Sequence, residues 1–116
     1  MRCTLVLSAL LLVPALAPAQ TASDASPDLS RSRELVRMVR QDCGSCHGMR
    51  LTGGLGPALT REALADFPLD SLVAVIVHGR PGTPMPPWKA MLSEPEARWI
   101  ALRLQQGFPE EVVKAP

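Results

Sequence analysis

Cys43-Gly44-Ser45-Cys46-His47 constrains this chain more than any other feature. Two thiols three positions apart, with an imidazole directly after the second, form the pattern by which a chain is attached to c-type haem. The basis of the pattern is reach. The two thiols meet the two vinyl groups of one porphyrin and form thioethers, and the adjacent histidine falls beneath the iron as proximal ligand. Two plainer readings compete: a redox dithiol or structural disulfide in an oxidising compartment, and half of a zinc site. There is no second cysteine pair, and His78 is the only other histidine. With His47 directly after Cys46, the haem reading is the stronger one.

Compartment and size agree with it. Met1 and Arg2 give a short positive start, and Leu5 to Leu16 form an apolar run interrupted by Ser8 and Pro14. Ala17-Pro18-Ala19 then places small residues where a signal peptidase reads, so residues 1–19 are expected to be a cleaved export signal with Gln20 as the new N-terminus. The run is too short for the roughly 20 residues of a membrane-spanning helix, so no membrane anchor is expected in the mature chain. Cys3 leaves with the signal. Of 116 residues, 97 then remain, and removing Arg2 from 12 Lys+Arg leaves 11 against 11 Asp+Glu. A neutral chain with two Trp, two Phe and no Tyr has neither the basic patch nor the aromatic platform of a nucleic-acid binder. About 97 residues make one small domain, whose core gains from a bound apolar group.

Residues 20–29 are rich in Ser, Ala and Asp and read as a flexible arm. Residues 30–108 are the expected domain and 109–116 a C-terminal tail. Ser30 is expected to cap a helix from Arg31 to Gln41, with Leu35, Met38 and Val39 on its apolar face and Arg33, Arg37 and Arg40 on a solvated one. Gly44 to Pro57 holds five glycines and reads as a loop. Thr60 is expected to cap a short helix over Arg61 to Asp66. A further helix opens at Pro68 or Asp70 and ends at His78-Gly79; its β-branched residues also suit a strand, but the terminal glycine favours the helix. Gly79 to Trp88 carries four prolines in ten positions and is irregular. Ser93-Glu94-Pro95-Glu96 fits a capping box, and the helix it opens carries an Ala97, Ile100, Ala101 and Leu104 stripe and stops at Gly107. The fold class is all-α.

A haem iron held by one histidine has a sixth position, and what fills it decides the chemistry. Met85 stands 38 residues after His47, in Gly82-Thr83-Pro84-Met85-Pro86-Pro87-Trp88. The flanking prolines fix the backbone there. Met38 is core filler on an amphipathic helix; Met49 is too close to His47, and Met91 precedes the last helix. His78 is a second candidate for the sixth position, as in a bis-His haem of lower potential, but it ends an apolar helix, where a histidine interacts well with the helix C-terminus and often does nothing more. Between the ligands, Gly56 lets the backbone approach the haem, and the Pro57 carbonyl is expected to accept the Nδ1 hydrogen of His47. Leu55 and Leu59 are expected to pack on the porphyrin. Arg80 reads as solvated surface, and Trp88 as packing against the haem or the distal loop.

With Cys43–His47, Gly56-Pro57 and Met85 in this order, the chain resembles a class I cytochrome c over Leu29 to Phe108. The resemblance implies three to five short helices wrapped around one haem, with the first and last helices crossing. The strings CGSCHGM, GGLGPAL and HGRPGTPMPPW are similar to those of the NirC-type small periplasmic cytochromes associated with cd-type nitrite reductase. That branch implies haem c on Cys43 and Cys46, axial ligands His47 and Met85, a respiratory-chain donor and cd-type nitrite reductase as partners. His78 departs from the branch, where a Glu or another polar residue is expected.

Three functions follow as expectations. The first is a periplasmic electron carrier rather than an enzyme; the second is an accessory factor in maturation of the d-type haem of nitrite reductase. The third, a peroxidase or gas-binding protein, needs an open iron, which Met85 argues against.

Overall fold

The computed structural model describes residues 26–111. The expected export signal over residues 1–19, with Cys3 and Gln20, lies outside the described residues, as do most of the arm and the end of the tail. Helix α1 (Leu29–Met38) runs directly into a π-helical turn (Val39–Cys43) and then into α2 (Gly44–His47); α3 (Arg61–Leu64), α4 (Leu69–His78) and α5 (Glu94–Gln106) follow. Among the described residues there is no strand, and no helix is long and apolar enough to cross a membrane.

The first helix departs from expectation at both ends. It starts at Leu29, and its cap is Asp28, whose carboxylate accepts the Arg31 amide at 2.8 Å, rather than Ser30. At its far end the helix does not stop at Gln41. The Gly44 amide donates to the Val39 carbonyl across five residues, which widens the turn and carries the helix through the cysteine motif as far as His47. Gly44 is buried, and the site of a Cβ on it lies 3.4 Å from Met49 Cα. A residue read as part of a loop in sequence is therefore a helical packing residue in the fold.

The remaining helices start and stop as their sequences dictate. Thr60 caps α3, accepting the Ala63 amide at 3.3 Å. The segment with β-branched residues is helix α4, with Pro68 before it and Gly79 after it. Ser93 and Glu96 close the capping box on α5, and Gly107 ends it.

Leu35 and Val39 from the first helical run join Leu51, Leu64, Leu92, Ile100 and Leu104 in one buried cluster. Val73 of α4 packs with Ala97 and Ala101 of α5, where small side chains admit a close approach. Arg31 of α1 donates to Glu96 of α5, to Glu34 and to the Met91 carbonyl, tying both ends of the domain together. Arg40 does not belong to a solvated face. It is 6% exposed, and its guanidinium donates to the Phe108 and Pro109 carbonyls at 2.7 to 3.0 Å and lies over the Phe108 ring. The cation thus holds the segment that follows α5 against the first helical run.

Candidate haem site

His47 is the last residue of α2, and the glycine loop folds back beneath it. The Cys46 carbonyl accepts the Gly56 amide and the His47 carbonyl accepts the Gly53 amide, both at 2.8 Å, so the end of α2 is satisfied by the loop rather than by water. This return brings the Pro57 carbonyl oxygen to 2.7 Å from His47 Nδ1, the bond expected from sequence. It fixes which nitrogen carries the proton and leaves Nε2 as the free lone pair. Gly56 lies against the face of the same ring: a Cβ there would stand 2.7 Å from Cε1 and 2.8 Å from Nδ1.

Leu59 is half-buried on the core, with its amide on the Leu51 carbonyl at 2.8 Å. Leu55, by contrast, stands 95% exposed. Leu51 was not singled out in sequence. It is buried with a left-handed backbone (φ 62°), a costly conformation for a branched side chain, which its packing under the loop offsets. Nothing in the residue type announces that.

The two cysteines differ. Cys43 is half-buried against the core, and Cys46 is exposed beside Ser45. Both thiols are free. Burial, with the Asp42 carboxylate adding to it, pushes the Cys43 thiol up to about 11. The surroundings of Cys43 are thus the opposite of the electropositive setting that favours a thiolate. Among the described residues no group of three or more His, Cys, Asp and Glu is arranged to hold a metal ion, so the zinc reading has no ligand set.

Met85 is half-buried in the loop between α4 and α5. The loop is anchored beyond Met85 by the Trp88 and Lys89 amides, which donate to the Ile76 and Val77 carbonyls at 3.1 and 3.3 Å and so satisfy the end of α4. His78 lines a cleft between α4 and α5 with Asp70, Glu94 and Arg98.

The residues present fit a haem by one further observation. Trp88 Nε1 is the buried side-chain polar atom among the described residues that lacks a hydrogen-bond partner. An orphaned donor costs about 1–3 kcal/mol, so the site calls for an acceptor that the chain does not provide. A porphyrin carboxylate is such an acceptor. Like Trp88, Leu59, Leu72 and Ile76 pack on the core and remain partly open, leaving apolar surface for a flat apolar group to cover.

The comparisons agree with this chemistry. A family described as cytochrome C oxidase, cbb3-type, subunit III matches residues 30–102. Cytochrome c55X of Stutzerimonas stutzeri is 52% identical over 109 residues, 94% of this chain and 91% of that one. The solved c-type cytochrome NirC is 57% identical with a TM-score of 0.68, covering 69% of this chain and 94% of that one. A dihydro-heme d1 dehydrogenase NirN, solved in complex with DHE, is 35% identical with a TM-score of 0.57 over 64% of this chain and 16% of the other. The motif, the braced histidine and these relatives give one result: the chain belongs to the c-type cytochromes, a haem c family, within the cytochrome c55X and NirC group.

Proposed function

We propose that this chain is an exported periplasmic cytochrome with one covalently attached haem c, which carries single electrons to cd-type nitrite reductase from a respiratory-chain donor, and that it is not itself an enzyme. The observation that carries the reading is the 2.7 Å contact between His47 Nδ1 and the Pro57 carbonyl, which prepares Nε2 of a histidine in a C-x-x-C-H motif to bind iron. Cys43 and Cys46 would hold the haem through thioethers, His47 and Met85 would supply the ligands to its iron, and Gly56, Pro57 and Leu59 would line the His47 side. When bound, the haem supplies a reversible one-electron couple, and a methionine ligand favours the ferrous state relative to a second histidine.

The chain's own part is orientation and exclusion of water. Pro57 holds the imidazole, Gly56 leaves room for it, Leu59 would cover apolar surface, and Trp88 Nε1 would donate to a haem carboxylate. With Met85 on the iron no open site would remain for a substrate, which is the feature of a carrier.

A second reading is favoured by one observation, the likeness to part of a dihydro-heme d1 dehydrogenase. A related haem module within such a protein suits a role in maturation of the d-type haem, taking up or passing electrons there. The two readings separate by stopped flow. Mixing the reduced protein with oxidised cd-type nitrite reductase should reoxidise it within milliseconds. If it stays reduced while an unrelated acceptor oxidises it quickly, the carrier reading fails for that partner and maturation becomes the better account.

A further inference from the structure

We propose that Thr83 is a positioning residue for Met85: its hydroxyl sets the direction of the Met85 peptide and so holds the thioether toward the iron. The inference rests on Met85 being the axial ligand. Pro81, Pro84, Pro86 and Pro87 have no N–H, so this loop has few donors with which to hold a shape. It closes on itself instead. The Arg80 amide donates to the Met85 carbonyl at 3.1 Å, and the Thr83 amide donates back to the Arg80 carbonyl at 3.1 Å. The Thr83 hydroxyl then links the two ends, donating to that same Arg80 carbonyl at 2.7 Å and accepting the Met85 amide at 3.3 Å. Both backbone polar groups of Met85 are thereby fixed inside six residues.

Gly79 makes the closure possible. It has a left-handed backbone (φ 68°), and a Cβ on it would lie 2.6 Å from the Met85 carbonyl oxygen. Thr83 itself is exposed, so its side chain contributes little packing. The prolines already restrict the loop's φ angles; what the hydroxyl adds is the orientation of one peptide plane. Losing it frees the Met85 amide and lets the side chain move away from the position that the rest of the loop prepares.

Imidazole, added to the ferric haem-loaded protein and followed by the Soret shift, competes with the sixth ligand and reads how firmly that ligand is held. Thr83→Val keeps the branched shape and removes both bonds, and is expected to bind imidazole about fivefold more tightly, the change that one net hydrogen bond makes. Thr83→Ser is expected to stay within about twofold of the parent. Parent affinity in Thr83→Val, or Thr83→Ser behaving as Thr83→Val, overturns the proposal. Met85→Ala is expected to bind imidazole more tightly than either, with no further gain when Thr83→Val is added. If Met85→Ala keeps parent affinity, Met85 is not the ligand and the underlying reading fails as well. If the double variant still gains fivefold over Met85→Ala, Thr83 acts on the site without Met85 and the positioning role is wrong.

Discussion

His47 Nδ1 and the Pro57 carbonyl oxygen, ten residues apart in sequence, lie 2.7 Å apart in the fold. Because proline lacks an N–H, Pro57 takes part in the loop only as an acceptor, and its carbonyl is held to the ring by the Gly56 amide on the Cys46 carbonyl one residue earlier. His47 and the group that orients its ring are therefore parts of one hydrogen-bonded unit.

Gly56→Ala should break that unit. Gly56 is outside the left-handed region, so the cost is steric alone: the added methyl would stand 2.7 to 3.2 Å from three atoms of the His47 ring. The ring or the loop has to move, at about 1–3 kcal/mol. We expect a lower denaturation midpoint and a shifted reduction potential in the haem-loaded variant, checked by denaturant titration and redox titration. A variant with parent stability and potential would show that the ring has slack that the geometry does not suggest.

Much of this site was legible because the chemistry is local. The pentapeptide, the Gly56-Pro57 pair, the Thr60 and Ser93 caps and the Gly107 stop each depend on neighbours a few residues away. One error is local, the cap of the first helix at Asp28 rather than Ser30; others concern partners brought in from outside the segment. Arg40 looks like a surface cation until the chain end returns, 68 residues later, with the Phe108 carbonyl. Gly44 looks like the start of a loop until Met49 fills the space beside it. Leu51 looks like loop filler until its left-handed backbone turns it into the core. Periodicity reports which face of a helix is apolar, and says nothing of what will be brought against the other face.

Arg40→Met tests the first of these. Methionine keeps the apolar stem and removes donors that serve two carbonyls. Losing hydrogen bonds from a charged donor to these carbonyls should cost about 2 kcal/mol. Denaturant unfolding of the haem-loaded protein measures it, and the haem spectrum should stay that of the parent. A loss below about 0.5 kcal/mol would mean that water replaces the guanidinium at no cost and that the chain end is not held by it.

Glu96 gives a pH dependence with a definite sign. Its hydrogen bond from Arg31, followed by those from Ser93, lowers it from 4.5 to about 2, and the same contact holds Arg31 above its usual value. A carboxyl depressed in the folded state adds stability that is complete above pH 4.5 and fades as pH falls through about 2. Glu96→Gln should therefore lose stability at neutral pH and show a flatter stability profile between pH 4.5 and 2 than the parent. Parallel profiles for the two proteins would place the acid sensitivity elsewhere.

The salt dependence of partner docking follows from where the cations are. Among the described residues Lys89 is the sole lysine. Arg31, Arg37, Arg40 and Arg98 each pair with a carboxylate: Glu34 and Glu96, Glu111, Glu110, and Asp70 respectively. Local pairing cancels the field that would otherwise extend over a Debye length of about 10 Å at 0.1 M salt and steer a partner in. Near the haem motif Met49 is 63% and Leu55 95% exposed, and contacts of that apolar kind are insensitive to screening. Doubling the ionic strength should thus change the second-order rate of electron transfer to nitrite reductase by less than about twofold. Stopped-flow rates across a salt series measure this. A many-fold fall would mean that the partner reads unpaired arginines, and Arg50→Ala, Arg61→Ala and Arg80→Ala, tested one at a time, would then identify which one.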